Sequence, residues 1–394
     1  MLGIETSCDE TAAAIVSGGR ILSNVVSSSV EFHKRFGGVV PEIASRKQIE
    51  LISPVIQDAL REAGLGIEDI EAVAVTVGPG LIGSLVVGVA AAKAIAVSRG
   101  IPLIGVNHLE GHIYANFLLQ AEGENGRGGI PFVRRLADQG RLRGVYPEPK
   151  SEILRFAQND RRRRAQNDRG RRGQNDSVEV GWQEPVLPAI ALIVSGGHSN
   201  LVLVHDHGRY ETLGRTRDDA AGEAFDKAAR LLGLGFPGGP AIEAASEGGD
   251  PGAIAFPRAK LGRSLDFSFS GVKTALARYL DATPEPDRPP VRDIAASFQR
   301  AIVEPLAHKA VQAALDSDCR TLLVCGGVAA NRALRALLAR AAGECDLDLR
   351  IPPVALCTDN AAMIARVGEQ RLRAGLSDAL DIDAAASFEL ASWA

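Results

Sequence analysis

The chain has 394 residues, is 46% hydrophobic and carries a net charge of −4 at neutral pH, which admits two or three well-packed domains and excludes a wholly disordered chain. Its longest apolar runs, such as 84–97, are interrupted by Gly88 and Lys93, so no membrane span is expected. The first residues show no basic leader followed by an apolar core, which predicts a cytoplasmic protein. Five cysteines without a CxxC pair argue against a disulfide framework and a thiolate zinc site.

Residues 3–16 read as strand, polar turn and strand, with Ser7, Cys8, Asp9 and Glu10 in the turn. A helix is predicted over 41–63, with Pro41 in its first turn and Gly64 closing its end. A buried-type strand at 72–77 runs into Gly78-Pro79-Gly80, and a small-residue helix is expected over 82–98. A further strand at 103–106 precedes His108-Leu109-Glu110-Gly111-His112. On a helix, histidines four apart share one face, which is the spacing of metal ligands.

Between 131 and 176 the composition changes abruptly, to 13 Lys/Arg against 6 Asp/Glu, leaving the rest of the chain acidic by 11 charges. Ala157-Gln158-Asn159-Asp160 recurs as Ala165-Gln166-Asn167-Asp168 and, with a Gly start, as Gly173-Gln174-Asn175-Asp176. Such low complexity is expected to form an exposed insertion over about 121–187, either a basic arm for RNA phosphates or a neutral insertion.

Residues 191–204 repeat the strand, turn and strand of the first residues, with Ser195-Gly196-Gly197-His198 in the turn. Two such openings predict a duplicated α/β protein with a ligand cleft between its lobes. A helix with an acidic first turn is expected from Asp218, then a glycine turn at Phe236 to Pro240. A strand at 321–325 ends at Gly326-Gly327, and a helix is expected from Ala329 through Ala342 with Asn331 at its start, capping it or facing a ligand. Asp359 stands where an N-cap belongs before a helix at 361–373. Two histidines and one carboxylate would make a facial triad suited to Fe(2+), with Zn(2+) as competitor.

The stretches 3–11, Gly78-Pro79-Gly80-Leu81, 108–112, 194–198, 222–227, Gly238-Gly239-Pro240, 326–332 and 357–360 together resemble the TsaD/Kae/Gcp family, the tRNA adenosine threonylcarbamoyltransferases. The resemblance spans 1–120 and 188 to about 375. It implies an actin/sugar-kinase/Hsp70-like (RNase H-like) two-lobed α/β fold. The expected lobes are 1–107, completed by about 359–394, and 108–358, interrupted by the insertion. It also implies transfer of the threonylcarbamoyl group from threonylcarbamoyl-adenylate to N6 of adenosine 37 of tRNA, with release of AMP.

By the same resemblance His108, His112 and Asp359 would be the ligands of one Fe(2+) per subunit. Ile193, Val194, Ser195, Gly196, Gly197, Asp226, Gly239, Glu243 and Asn331 would hold the adenylate, and TsaB-like and TsaE-like proteins would be partners. The family often has Asp where this chain has Glu243. Backbone N–H groups of Ser195 to Gly197 would help to bind the phosphate. Asp9 is a candidate for proton removal from the amine, or else bonds only within its own turn. Two other readings stand against this one. An ATPase or kinase of the same fold would hold its metal through oxygens, and a zinc protease would need Glu directly after the first histidine, whereas Glu110 lies roughly 200° round the helix.

Overall fold

The computed structural model describes residues 1–119 and 183–393. The arginine-rich insertion therefore lies outside the described residues up to 182. At the point of re-entry Arg350 donates to the Gln183 carbonyl at 3.2 Å, and Arg366 pairs with Glu184 at 2.8 Å.

Two five-stranded sheets share one plan. In the first, β1 (Leu2–Glu5), β2 (Glu10–Ser17), β3 (Arg20–Ser28), β4 (Val73–Gly78) and β5 (Leu103–Asn107) lie in the order β3-β2-β1-β4-β5. In the second, β6 (Ala189–Val194), β7 (Ser199–Asp206), β8 (Arg209–Arg215), β9 (Thr321–Cys325) and β10 (Asp348–Arg350) lie in the order β10-β9-β6-β7-β8. Each sheet opens with two antiparallel pairings and closes with two parallel ones. The duplication expected from the paired hairpins is thus present strand for strand. β1, β4, β6 and β9 are wholly buried, as continuous apolar runs covered on both faces must be.

Helices α1 (Val30–Lys34), α2 (Pro41–Ala63) and α3 (Ile82–Arg99) accompany the first sheet. α2 begins at Pro41 and ends at Gly64 with φ +68°, as the sequence predicts. α3 is long and apolar enough to cross a membrane by length and composition. Here it turns Ser84, Leu85, Gly88, Val89, Ala92 and Ala96 inward, and Leu85, Val89 and Ala96 are apolar core residues.

α4 (His108–Tyr114) lies between the sheets, and every one of its residues is buried. Beside it runs α11 (Ala361–Arg373), whose Met363, Ile364 and Val367 share a core with Leu109 and Ile113 of α4, Ile104 of β5 and Ile193 of β6. A Cβ on Gly111 would stand 2.6 Å from Ile364 Cδ1, so a bare residue there lets the two helices meet. After α11 the chain returns along β5 (Asp378 N–H to the Leu103 carbonyl, 2.8 Å) and β4 (Ala385 N–H to the Val77 carbonyl, 2.8 Å).

The second sheet carries α5 (Ala221–Leu231), α6 (Gly238–Ala245), α7 (Ser270–Ala282), α8 (Val291–Asp316), α9 (Arg332–Cys345) and the short α10 (Val354–Cys357). Three expected boundaries move. α5 starts at Ala221 rather than Asp218, because the Asp218 carboxylate instead accepts from the Phe269 amide at 2.8 Å and the Ser268 hydroxyl at 2.6 Å. Residues 327–330 form a 3-10 turn, and α9 begins after Asn331, whose side chain accepts from the Leu334 amide at 3.0 Å. The N-cap of α11 is Asn360, not Asp359, which frees Asp359 to point elsewhere.

Candidate metal centre and adjoining cleft

Asn107 ends β5 and caps α4 by accepting from the Leu109 amide at 2.8 Å, so His108 is the first helical residue and His112 lies one turn on. The two rings meet edge to face, with centroids 4.6 Å apart. Asp359 arrives from the loop before α11. Its Oδ1 lies 3.3 Å from His112 Nε2 and 3.6 Å from His108 Nε2. One donor atom from each of the three residues falls within a 4.8 Å group.

A second layer of polar groups fixes the first. His108 Nδ1 lies 3.1 Å from Glu5 Oε2 and 3.2 Å from Ser7 Oγ, which leaves Nε2 to face Asp359. Glu5 is fully buried and also accepts from the Thr76 hydroxyl at 2.6 Å. This is how a carboxylate behind a histidine sets the ring's tautomer and direction. Asn360 donates to the Thr358 carbonyl at 2.8 Å, and Arg335 donates at 2.7 Å to the carbonyls of Ala329 and Pro352, fastening the approach to Asp359.

The charges respond to one another. Burial pulls the His108 imidazole down, but the carboxylates of Asp359 and Glu5 outweigh it and raise the group to about 9. Burial would raise Asp359, yet the neighbouring histidines, His108 foremost, hold it down at about 2. His112 is lowered, chiefly by burial and further by the charge of His108 beside it. His198 is lowered to about 4, by burial first and then by His108 and His112. Among the described residues neither ring nitrogen of fully buried His112 has a well-aligned hydrogen bond. A buried orphan of this kind costs about 1–3 kcal/mol unless something satisfies it. Two imidazoles and a carboxylate converging on one point therefore fit a divalent cation with open positions for substrate.

The turn between β1 and β2 adjoins this centre. Gln48 of α2, buried, donates to the carbonyls of Cys8 at 2.9 Å and Glu10 at 3.0 Å, holding the turn in shape. Glu10 is pushed well up, by burial and then by the charges of Asp359 and Asp9. The Asp9 carbonyl accepts from the Ser29 hydroxyl at 2.7 Å. Burial is the main reason Asp226 of the second sheet's α5 is raised, and Asp9 adds to it.

The other candidates divide into two groups. Ile193 and Val194 are fully buried strand residues whose side chains pack in the core. The Ser195 amide donates to the His198 carbonyl at 2.8 Å and so is not free for a ligand. Among the described residues the amides of Gly196 and Gly197 have no partner, and both glycines are exposed with open space around them. Gly222 backs this turn, because a Cβ there would stand 2.6 Å from the Ser195 carbonyl oxygen. Asp226 accepts from the Gly238 amide at 2.6 Å, and Gly239 faces open space. Glu243 pairs with Arg332. The Asn331 amide group is used at both ends, capping α9 and donating to Gln299 at 2.8 Å.

Sequence reasoning missed Glu5, Ser7, Gln48, Thr76 and His198. A carboxylate ending the wholly buried strand β1 was the one available signal, since a buried acid needs a partner. Glu110 points away from the centre. Its Oε1 accepts from the Tyr210 hydroxyl at 2.6 Å and the Trp393 indole at 2.7 Å, which denies a protease its general base.

Residues 20–133 and 177–366 match the family described as "TsaD: tRNA N6-adenosine threonylcarbamoyltransferase". A relative of that name from Symbiobacterium thermophilum is 46% identical over 98% of this chain and 95% of its own length. Another from Thermomicrobium roseum is 46% identical over 99% of this chain and 96% of its own length. A solved structure of full-length HypF superposes with a TM-score of 0.52, 12% identity, and 94% of this chain and 55% of HypF covered. That last likeness concerns the fold alone.

Proposed function

The chain belongs to the TsaD family of tRNA N6-adenosine threonylcarbamoyltransferases, and from that membership we propose how its cleft carries out the transfer. The threonylcarbamoyl group passes from threonylcarbamoyl-adenylate to N6 of adenosine 37 in tRNAs reading codons that begin with A. The N6 lone pair forms a bond to the carbamoyl carbon, the bond from that carbon to the phosphate oxygen breaks, AMP leaves, and N6 gives up one proton. The mixed anhydride is already activated, so positioning and charge stabilisation carry the catalysis.

His108, His112 and Asp359 would hold Fe(2+), with Zn(2+) as competitor, one ion per subunit. When bound, the ion supplies Lewis-acid stabilisation of charge on the leaving phosphate. The partnerless amides of Gly196 and Gly197 would donate to the same phosphate. Asp9 is our candidate to take the N6 proton, being held in the β1–β2 turn, whose Ser7 touches His108. Asp226, Gly239, Glu243 and Asn331 would line the adenylate side, with Glu243 and Asn331 acting through the contacts they already make with Arg332 and Gln299. TsaB-like and TsaE-like proteins would complete the system, the adenylate would come from a separate synthase, and the work would be done in the cytoplasm, where tRNA is.

The observation that carries this reading is the convergence of two imidazoles from α4 and one carboxylate from the loop before α11 between the two sheets. The test is transfer of labelled threonine to tRNA by the full system, with the intact chain or His112→Ala. Label on tRNA with the intact chain, reduced at least a hundredfold in the variant, is expected. Equal labelling by both would remove His112 from the site.

A further inference from the structure

The described residues hold 30 Lys/Arg against 39 Asp/Glu, an unpromising body for a polyanion. One stretch departs from this. Residues 256–280 contain Arg258, Lys260, Arg263, Lys273 and Arg278 against Asp266 alone. The stretch is the irregular loop before α7 together with most of α7.

Its cations divide into two kinds. Arg258 pairs with Glu304, and Lys273 pairs with Asp219 at 3.0 Å. Lys309 of α8 donates to the Ser264 carbonyl at 2.9 Å and to the Asp266 carbonyl, and sits 5.5 Å from the centre of the Phe267 ring. These contacts fix the loop. Lys260, Arg263 and Arg278 are exposed and have no ion pair or hydrogen bond among the described residues. Arg278 stands in the wall of an open groove of about 600 Å³, lined also by Pro257, Ser270, Thr274 and Tyr279.

The loop is joined to the rim of the cleft by hydrogen bonds. The Phe267 amide donates to the Arg215 carbonyl at 2.9 Å, and Asp218 accepts from the Phe269 amide at 2.8 Å. Four residues further on, the Gly222 amide donates to the Ser195 carbonyl at 3.2 Å. Four residues reach at most about 14 Å, so the basic loop and the glycine turn are neighbours that one folded RNA hairpin can touch at once.

We propose that Lys260 and Arg263 of this loop, with Arg278 in the wall of the groove, form the surface that grips the phosphate backbone of the tRNA anticodon stem while the target adenosine enters the cleft. The proposal rests on the tRNA reading above. Phosphate contacts of this kind position a nucleic acid without reading its sequence. They suit an enzyme whose substrates share a modified position and differ elsewhere. The base itself must leave its stack to reach the cleft, and a grip on the stem holds the loop in place while it does.

The test compares the intact full-length chain with Lys260→Ala/Arg263→Ala/Arg278→Ala and with a control, Arg46→Ala/Arg61→Ala/Lys93→Ala. Binding of an unmodified anticodon stem-loop hairpin is titrated across salt concentrations, and threonine transfer is measured alongside. Three lost phosphate contacts on the duplex stem at about 0.9 each should shrink the slope of log affinity against log salt by about 3. Affinity at roughly 0.1 M salt should fall about ten- to a hundredfold. The control should match the intact chain, and the first variant should recover kcat at saturating RNA. An unchanged affinity and slope in the first variant, with an intact chain that modifies tRNA, would overturn the surface alone. An intact chain that neither binds nor modifies RNA would overturn the tRNA reading and this surface together.

Discussion

Asp359 and His108 show how a single residue's chemistry depends on what stands behind it. Glu5 turns His108 toward Asp359, and Asn360 takes over the capping role that would otherwise occupy Asp359. Asp219 illustrates the same dependence in a stabilising contact. Burial would raise its carboxyl, but hydrogen bonds from Lys227 and Lys273 outweigh that and hold it below the usual carboxylate value. A depressed folded-state value stabilises at any pH above the unfolded value of about 3.9 and is lost as pH falls through the folded one. Urea midpoints measured from pH 7 to pH 2 should therefore fall more steeply for the intact chain than for Asp219→Asn below about pH 4, with the variant less stable at pH 7. Parallel curves would show that the pair contributes nothing.

Among the elements, α4 depends most on its neighbours. Seven residues are too few to hold a helix in water, yet this one carries both imidazoles. Asn107 caps it, α11 presses on Gly111, and the final residues of the described chain close over it. There the Trp393 amide donates to the Gly208 carbonyl at 2.8 Å, and its indole donates to Glu110. Asn107 also donates to the carbonyls of Phe388 and Glu389, at 3.2 and 3.1 Å. Burial pushes Glu110 up to about 7 despite the hydrogen bonds from Tyr210 and Trp393. Trp393→Ala removes one of those bonds together with the ring packed on Gly208, and should cost about 2 kcal/mol, read as a lower urea midpoint. Trp393→Phe, which keeps a ring and loses the N–H, should cost about half as much. No loss in either variant would show that this strap does not support α4.

Over the whole molecule, the two sheets are joined by a shared core. Ala74, Ile104 and Val106 of the first sheet and Ala191, Ile193 and Cys325 of the second lie in one buried cluster with α4 and α11. A core continuous across both sheets should make them unfold together. Calorimetry is expected to show one transition that Trp393→Ala shifts as a unit. Two separable transitions would mean that the sheets are independent domains.

Much of this was legible in the residue order, because it depends on local rules. Pro41 and Gly64 bracket α2, two apolar runs around polar turns give the paired hairpins, and four-residue spacing puts both histidines on one face. The family resemblance rests on short motifs of the same local kind. Tertiary structure decided what distance in sequence conceals. Glu5 stands behind His108 from 103 residues away, Gln48 of α2 holds the first turn, and Asp218 caps α7 instead of starting α5. Asn331, open in the sequence between cap and ligand contact, caps α9 and bonds Gln299. Each is a polar group, buried except at Asp218, that satisfies a partner only the folded chain brings near. Which partner wins is fixed by packing, since inside the protein an unmatched donor, acceptor or charge costs more than any local preference returns.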